Sequence, residues 1–253
     1  MSLEALLFDV DGTLADTEEG HRVAFNMAFA KAGLDWNWTE ALYGQLLAVT
    51  GGKERIGYYL DSFNTEFDKP ENLSEFIANL HQSKTDYYTA LLFKGEIPLR
   101  PGVERLINEA RAAGLRLAIV TTTTPANVEA LLLSTLGEES ESWFEIIAAG
   151  NVVPAKKPAA DIYTYTLDEM KISADKCIAL EDSFNGIQSA QGAGVRTLIT
   201  VNGYTNTDDF SGAVAVLSDL GEPTKAFEVI AGDKTLLEKT GYINIDLLKQ
   251  MFE

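Results

Sequence analysis

Residues 3–8, LEALLF, form a largely apolar run that stops at Asp9-Val10-Asp11-Gly12-Thr13. Short apolar runs with polar ends recur at 115–121, 144–149, 176–182 and 195–201. Each predicts a short buried strand. The stretches at 101–113, 125–136, 158–171 and 183–193 carry helical patterns. Pro101, Pro125 and Pro158 stand near three helix starts, where a missing N–H costs nothing. Strand and helix alternate, which predicts a parallel sheet covered on both faces.

Residues 17–95 break that rhythm. A helix begins near Thr17, with Asp16 as the expected N-cap and Glu19 three residues on. Phe25, Ala28, Phe29 and Ala32 fall on one apolar stripe. Helical patterns continue through 39–48, 53–63 and 72–93. The expected fold is therefore α/β: a Rossmann-like parallel-sheet core of residues 1–16 and 97–253, interrupted by an all-helical cap of residues 17–96. Both ends of the insert return to one place, so it is a candidate lid hinged near 14–17 and 95–101. Gly20, in the first turn of a helix, costs up to about 1 kcal/mol against Ala and suggests flexibility there. Trp36, Trp38, Tyr58, Tyr59, Tyr87 and Tyr88 are expected in the cap's interior, and His81 on its surface. From Gly203 onward the pattern is less informative; 199–210 reads as a loop near the sheet edge.

Bulk properties narrow the partners. The chain has 253 residues, 46% of them hydrophobic, and a net charge of -18. Such acidity opposes nucleic-acid phosphates, yet a few local cations and a metal still admit a small phosphorylated substrate. No apolar run is long enough to span a membrane, and Glu4 and Asp9 break any secretory signal pattern. The one cysteine, Cys177, cannot form an intrachain disulfide and reads as a small apolar residue opening a strand. A reducing cytoplasm fits, and a monomer is the expected state.

Ligands of open parallel sheets bind at the carboxyl ends of the strands. Those ends carry Asp9 and Asp11, Thr121 in a run reaching Thr124, Lys156-Lys157-Pro158 in a loop, and Glu181-Asp182. The carboxylates among them are hard oxygen donors, joined by no His or Cys, which suits Mg²⁺. A phosphate dianion about 4 Å from a carboxylate is repelled by roughly 8 kcal/mol at an effective dielectric near 20. A cation and a lysine reverse that sign, letting Asp9 attack phosphorus, with Asp11 as general acid and base. The bland readings are turn and capping acids at Asp9 and Asp11, and an N-cap at Asp182. Gly51-Gly52 ahead of a helix, with Lys53 and Arg55, suggests a second phosphate site. Arg22 and Asn26 share a helix face that is either solvated or in contact with substrate. His21 shares the apolar stripe with Phe25, where a packed or capping histidine is common.

Asp-Val-Asp-Gly-Thr, the strand-terminal Thr121, Lys157-Pro158 and Glu181-Asp182 resemble, in order, the four motifs of the haloacid dehalogenase-type hydrolases. The segments at 21–26, 50–56, 99–106, 119–131 and 156–163 resemble, more closely, the CbbY group of sugar-bisphosphate phosphatases. That resemblance implies Asp9 as nucleophile, Asp11 as acid and base, and Thr121 and Lys157 holding the phosphoryl group. It implies a Mg²⁺ site of Asp9, the Asp11 carbonyl, Glu181 and Asp182. His21, Arg22, Gly52, Lys53, Arg55, Thr122 and Thr123 are the expected substrate contacts. The implied substrate is xylulose-1,5-bisphosphate, a misfire product that inhibits Rubisco. A phosphomutase, a phosphoglycolate phosphatase, a 2-haloacid dehalogenase and a silent Mg²⁺-binding module are the rival expectations.

Overall fold

The computed structural model describes residues 2–95 and 97–252. The expected cap boundary at Glu96 and the chain ends, Met1 and Glu253, lie outside the described residues. Strand β1 (Ala5–Phe8) is followed by helices α1 (Glu18–Lys31), α2 (Glu40–Leu46), α3 (Gly52–Ser62) and α4 (Leu73–Phe93). Then come α5 (Val103–Ala112), β2 (Arg116–Val120), α6 (Pro125–Leu136), β3 (Ile146–Ala148), α7 (Asp161–Met170) and β4 (Cys177–Glu181). The chain closes with α8 (Phe184–Gly192), β5 (Arg196–Thr200), β6 (Ala215–Leu217), β7 (Val229–Ala231), α9 (Lys234–Leu237) and α10 (Ile245–Phe252).

Among the described residues, seven strands form one sheet in the order β3-β2-β1-β4-β5-β6-β7, in which only the β6–β7 pair is antiparallel. Every residue of β1 and β4 is buried, which is why their sequences, up to Glu181 at the end of β4, are apolar runs rather than alternations. Phe8 lies level with Ile119 of β2 and Leu180 of β4. Asp9, Thr121 and Glu181 therefore emerge on one edge, where the strand order reverses around β1. Open α/β sheets bind ligands in such a crevice.

Helices α1 to α4 form the inserted cap. Its interior is aromatic: Phe25, Phe29, Trp36, Trp38, Tyr43 and Tyr59 are buried together. Burying each such side chain stabilises by about 1.5–3 kcal/mol. Tyr58 packs partly buried against this cluster, whereas Tyr88 joins the core cluster at the cap's base with Tyr87 beside it. The Asn26 amide holds Trp38 at both backbone groups, accepting from its N–H at 2.8 Å and donating to its carbonyl at 3.0 Å.

Several expectations change. Thr17, not Asp16, precedes α1, and it makes no side-chain cap bond. Its hydroxyl is used on Asp11, while Asp16 pairs with Arg100. Glu19 binds Arg22 and Tyr204 instead of closing a capping box. Gly20 has a packing reason: a Cβ there would lie 2.5 Å from Ile97 Cδ1. Helix α7 starts three residues beyond Pro158, after a turn closed by Ala159 N–H to the Lys156 carbonyl. The loop after β5 is not at an edge, because β6 and β7 extend the sheet beyond it. No helix of the described residues is long and apolar enough to cross a membrane.

Candidate active site

At the end of β1, the Asp9 N–H donates to the Leu180 carbonyl at 3.0 Å and so is held against β4. The Lys157 ammonium enters from the loop before α7. It donates to Asp9 Oδ1 at 2.7 Å, Glu181 Oε1 at 2.6 Å and the Val120 carbonyl at 2.8 Å. Those bonds use all three of its donors. Burial alone would lower its pKa, but the Asp9 and Glu181 charges hold it well above the usual lysine range. Tyr163 adds a 2.5 Å bond to the same Glu181 oxygen. Asp9 is pushed up by burial and by Glu181 and Asp11, against the pull of Lys157.

Asp9, Glu181 and Asp182 are all buried and place carboxylate oxygens within 4.8 Å of one another. At an effective dielectric near 20, two charges at that separation repel by roughly 3–4 kcal/mol. Burial, Asp9 and Glu181 push Asp182 upward, while Asn202 Nδ2 donates to its Oδ2 at 2.7 Å. Glu181 Oε2 is buried with no hydrogen-bond partner among the described residues. A Cβ on Gly186 would sit 1.9 Å from that oxygen, and one on Gly12 would sit 2.1 Å from Asp182 Oδ2. Gly12 also has φ of +80°, so its place in the turn is closed to side chains twice over. An orphaned carboxylate oxygen within an all-oxygen cluster fits a divalent cation.

Asp11 turns away from this triad towards the cap. Its Oδ1 accepts from Thr17 Oγ1 at 2.7 Å and lies 2.8 Å from His21 Nε2. His21 Nδ1 lies 2.7 Å from Lys84 Nζ, and its ring sits 3.9 Å from that of Tyr88. An ammonium donating to Nδ1 leaves the imidazole proton on Nε2, aimed at Asp11. Burial opposes ionisation of Asp11, but His21 and Thr17 hold it well below the usual carboxylate range. Burial and the Lys84 charge push His21 down.

Burial lowers the Lys84 ammonium to about 7, with Asp11 opposing and Arg55 adding, from the ordinary 10.5. Between those two values the unfolded chain binds a proton that the folded protein has released. This lysine therefore makes stability rise with pH across that window. Lys84→Met should remove that rise, as read from denaturant unfolding at pH 7 and pH 9. An unchanged difference between the two pH values would mark Lys84 as an ordinary lysine.

The groups meet in a cavity of about 760 Å³ between core and cap. The core wall carries Asp9, Asp11, Thr121, Thr122, Thr123, Lys157, Glu181 and Asp182; the cap wall carries His21, Gly52, Lys53 and Arg55. Thr121 Oγ1 accepts from the Thr123 N–H at 3.2 Å, which curls the threonine run around the rim. Arg55 donates to Tyr43 Oη at 2.8 Å, leaving its Nε buried without a partner among the described residues. Arg22 is not brought to the cavity: its guanidinium is spent on Glu19 and on the Trp38 carbonyl at 2.8 Å. His81 is not a surface residue either. It is half-buried on the cavity wall, and burial with Lys84, Lys53 and Lys156 brings it down to about 3.

Lys156 lines the mouth and pairs with Glu54 of α3 at 2.9 Å, joining core to cap. Asn185 joins them too, donating to Thr50 Oγ1 at 3.0 Å. Lys84 escaped sequence reasoning because its partner His21 is 63 residues away. Asn185 lies outside every motif of the sequence.

The family model described as haloacid dehalogenase-like hydrolase matches residues 3–194. Protein CbbY of Cereibacter sphaeroides is 46% identical over 220 residues, which span 87% of this chain and 94% of that protein. The crystal structure of CbbY from Rhodobacter sphaeroides in complex with phosphate matches with a TM-score of 0.80 at 47% identity, over 86% of this chain and 94% of that one. A mutant of the Rhodobacter protein in complex with xylulose-1,5-bisphosphate gives 0.82 at 46% identity, over 87% and 96% of the two chains. Motifs, fold and kinship agree, and the chain belongs to the haloacid dehalogenase-like hydrolase family as a CbbY-type phosphatase.

Proposed function

We propose that this phosphatase hydrolyses xylulose-1,5-bisphosphate, with Mg²⁺, through a phosphate ester of Asp9. The observation that carries this reading is a cavity with cations on both walls. The core wall holds Asp9 clamped by Lys157; the cap wall carries Lys53 and Arg55 in the first turn of α3. A ligand with two anionic groups can meet both walls. The complex of the Rhodobacter CbbY mutant with that bisphosphate supports the choice.

Asp9, Glu181, Asp182 and the Asp11 carbonyl would hold Mg²⁺, which supplies positive charge against the phosphoryl oxygens. In the first half, an Asp9 carboxylate oxygen bonds to phosphorus as the sugar oxygen leaves with a proton from Asp11. In the second, water bonds to phosphorus, its proton returns to Asp11, and the Asp9–phosphorus bond breaks. Thr121 holds the phosphoryl oxygens, with Thr122 and Thr123 beside it, and Lys157 exchanges its bond to Asp9 Oδ1 for one to a phosphoryl oxygen as Asp9 bonds to phosphorus. His21 orients Asp11, and Gly52, Lys53 and Arg55 grip the far phosphate. The cap, residues 17–96, closes on the core, residues 1–16 and 97–253, and excludes bulk water while leaving the one molecule that the second half consumes.

Phosphate release with Mg²⁺ from xylulose-1,5-bisphosphate tests the reading. Ribulose-1,5-bisphosphate, phosphoglycolate and glucose-1-phosphate run beside it. Preference for the xylulose compound is expected. Preference for phosphoglycolate would overturn the second anion site, and isomerised sugar phosphate without phosphate release would mark a mutase. Lys53→Ala should raise KM for the bisphosphate by about tenfold, the loss of one charge-assisted hydrogen bond, with kcat nearly unchanged. An unaltered KM would remove Lys53 from the substrate's grip.

A further inference from the structure

We propose that Arg100 is a positioning residue that ties the hinge of the cap to the metal-facing edge of the site. The proposal rests on the reading of Asp9, Asp11 and Asp182 above. Arg100 is 7% exposed, although it lies in the short segment by which the chain leaves the cap. Its guanidinium gathers main-chain oxygens from three separate places. One nitrogen donates to the Gly12 carbonyl, in the turn that carries Asp11, and to the Thr200 carbonyl at 3.0 Å. Another donates to Val201 at 2.5 Å and Ser218 at 2.7 Å. The third, Nε, lies 3.2 Å from Asp16 Oδ1, at the segment by which the chain enters the cap.

The backbone completes the knot. Arg100 N–H donates to the Leu14 carbonyl at 2.8 Å, and Leu99 bridges Ala15. Both crossing segments, the Asp9–Gly12 turn and the end of β5 thus converge on one side chain. The end of β5 leads directly to Asn202, whose Nδ2 holds Asp182 Oδ2 at 2.7 Å. A shift of Arg100 therefore moves Gly12 on one side and the support of Asp182 on the other. A buried brace with no link to the chemistry would need neither connection.

Lysine keeps the charge but not the planar fork, so it satisfies fewer of these carbonyls. Arg100→Lys should lower kcat for the bisphosphate by about 10–100-fold, with KM within about threefold, the range for losing an outer partner of a metal site. The Mg²⁺ concentration giving half-maximal thermal stabilisation should rise by a similar factor; this readout needs no substrate. Asn202→Ala, which leaves the hinge intact, should shift the Mg²⁺ requirement in the same direction and covers the case of a poorly folded Arg100 variant. A lower melting temperature with kcat and Mg²⁺ dependence unchanged would make Arg100 a brace only and overturn the proposal. So would an Asn202→Ala protein with a wild-type Mg²⁺ requirement. A wild type that Mg²⁺ fails to stabilise would overturn the metal reading, and this link with it. A wild type stabilised by Mg²⁺ but inactive on the bisphosphate would overturn the substrate alone.

Discussion

Asp9→Asn should bring phosphate release below detection, while the metal-free protein melts at or above the wild-type temperature. An amide is a poor nucleophile towards phosphorus, so the covalent step of the proposed cycle has no replacement. The stability half of the expectation follows from the surroundings of Asp9. Burial, Glu181 and Asp11 all disfavour its charge, and together they outweigh the pull of Lys157. Asparagine keeps the shape and still offers Lys157 an amide oxygen. Lys157 also retains Glu181 at 2.6 Å and the Val120 carbonyl at 2.8 Å. The substitution leaves Glu181 and Asp182 with one fewer buried neighbour of like charge, a relief of roughly 3–4 kcal/mol per pair before the lost attraction of Lys157 is counted. Mg²⁺ should narrow or reverse the difference, because it stabilises the wild type more. Melting curves with and without Mg²⁺ check the second half. Surviving activity would place the nucleophile elsewhere.

Asp11→Asn is expected to lower kcat for a sugar phosphate by about 10²–10⁴-fold, the range for losing a positioned acid and base. The loss should depend on the leaving group. A sugar oxygen leaves as an alcohol and needs the proton; a nitrophenolate does not. With p-nitrophenyl phosphate, the variant should release a burst of one nitrophenolate per enzyme and then turn over slowly, because water activation still lacks its base. The carboxylate form of Asp11, favoured by His21 and Thr17, is the form that second half requires. Equal losses for both leaving groups, with no burst, would remove Asp11 from both proton transfers.

Much of this site is legible in sequence because parallel strands buried on both faces must be apolar to their ends. The first polar residue after such a run marks the rim, and Asp9, Thr121 and Glu181 are all found that way. What stayed hidden was partnership. Arg22 lies on the expected helix, and Glu19, one turn earlier, takes its guanidinium at 2.8 Å. Asp16 looked like a cap and instead meets Arg100 at 3.2 Å. His81 looked like surface because nothing in its own segment shows that α3 and Lys156 enclose it. Strands β6 and β7 are three residues each, too short for any period to declare itself.

The placement of Asp11 has a consequence for how the enzyme meets a mixture of phosphate esters. Thr17 and His21, and through His21 also Lys84, reach Asp11 from the cap rather than from the core. In the proposed cycle, a cap that swings open carries those three away. Open and closed forms then differ in reagents, not only in access. A small ester that occupies the Asp9 end alone, without drawing the cap down through Lys53 and Arg55, meets an incomplete set of proton handlers. On that proposal the protein would act as a coincidence detector, its reaction armed only while both ends of one molecule are held.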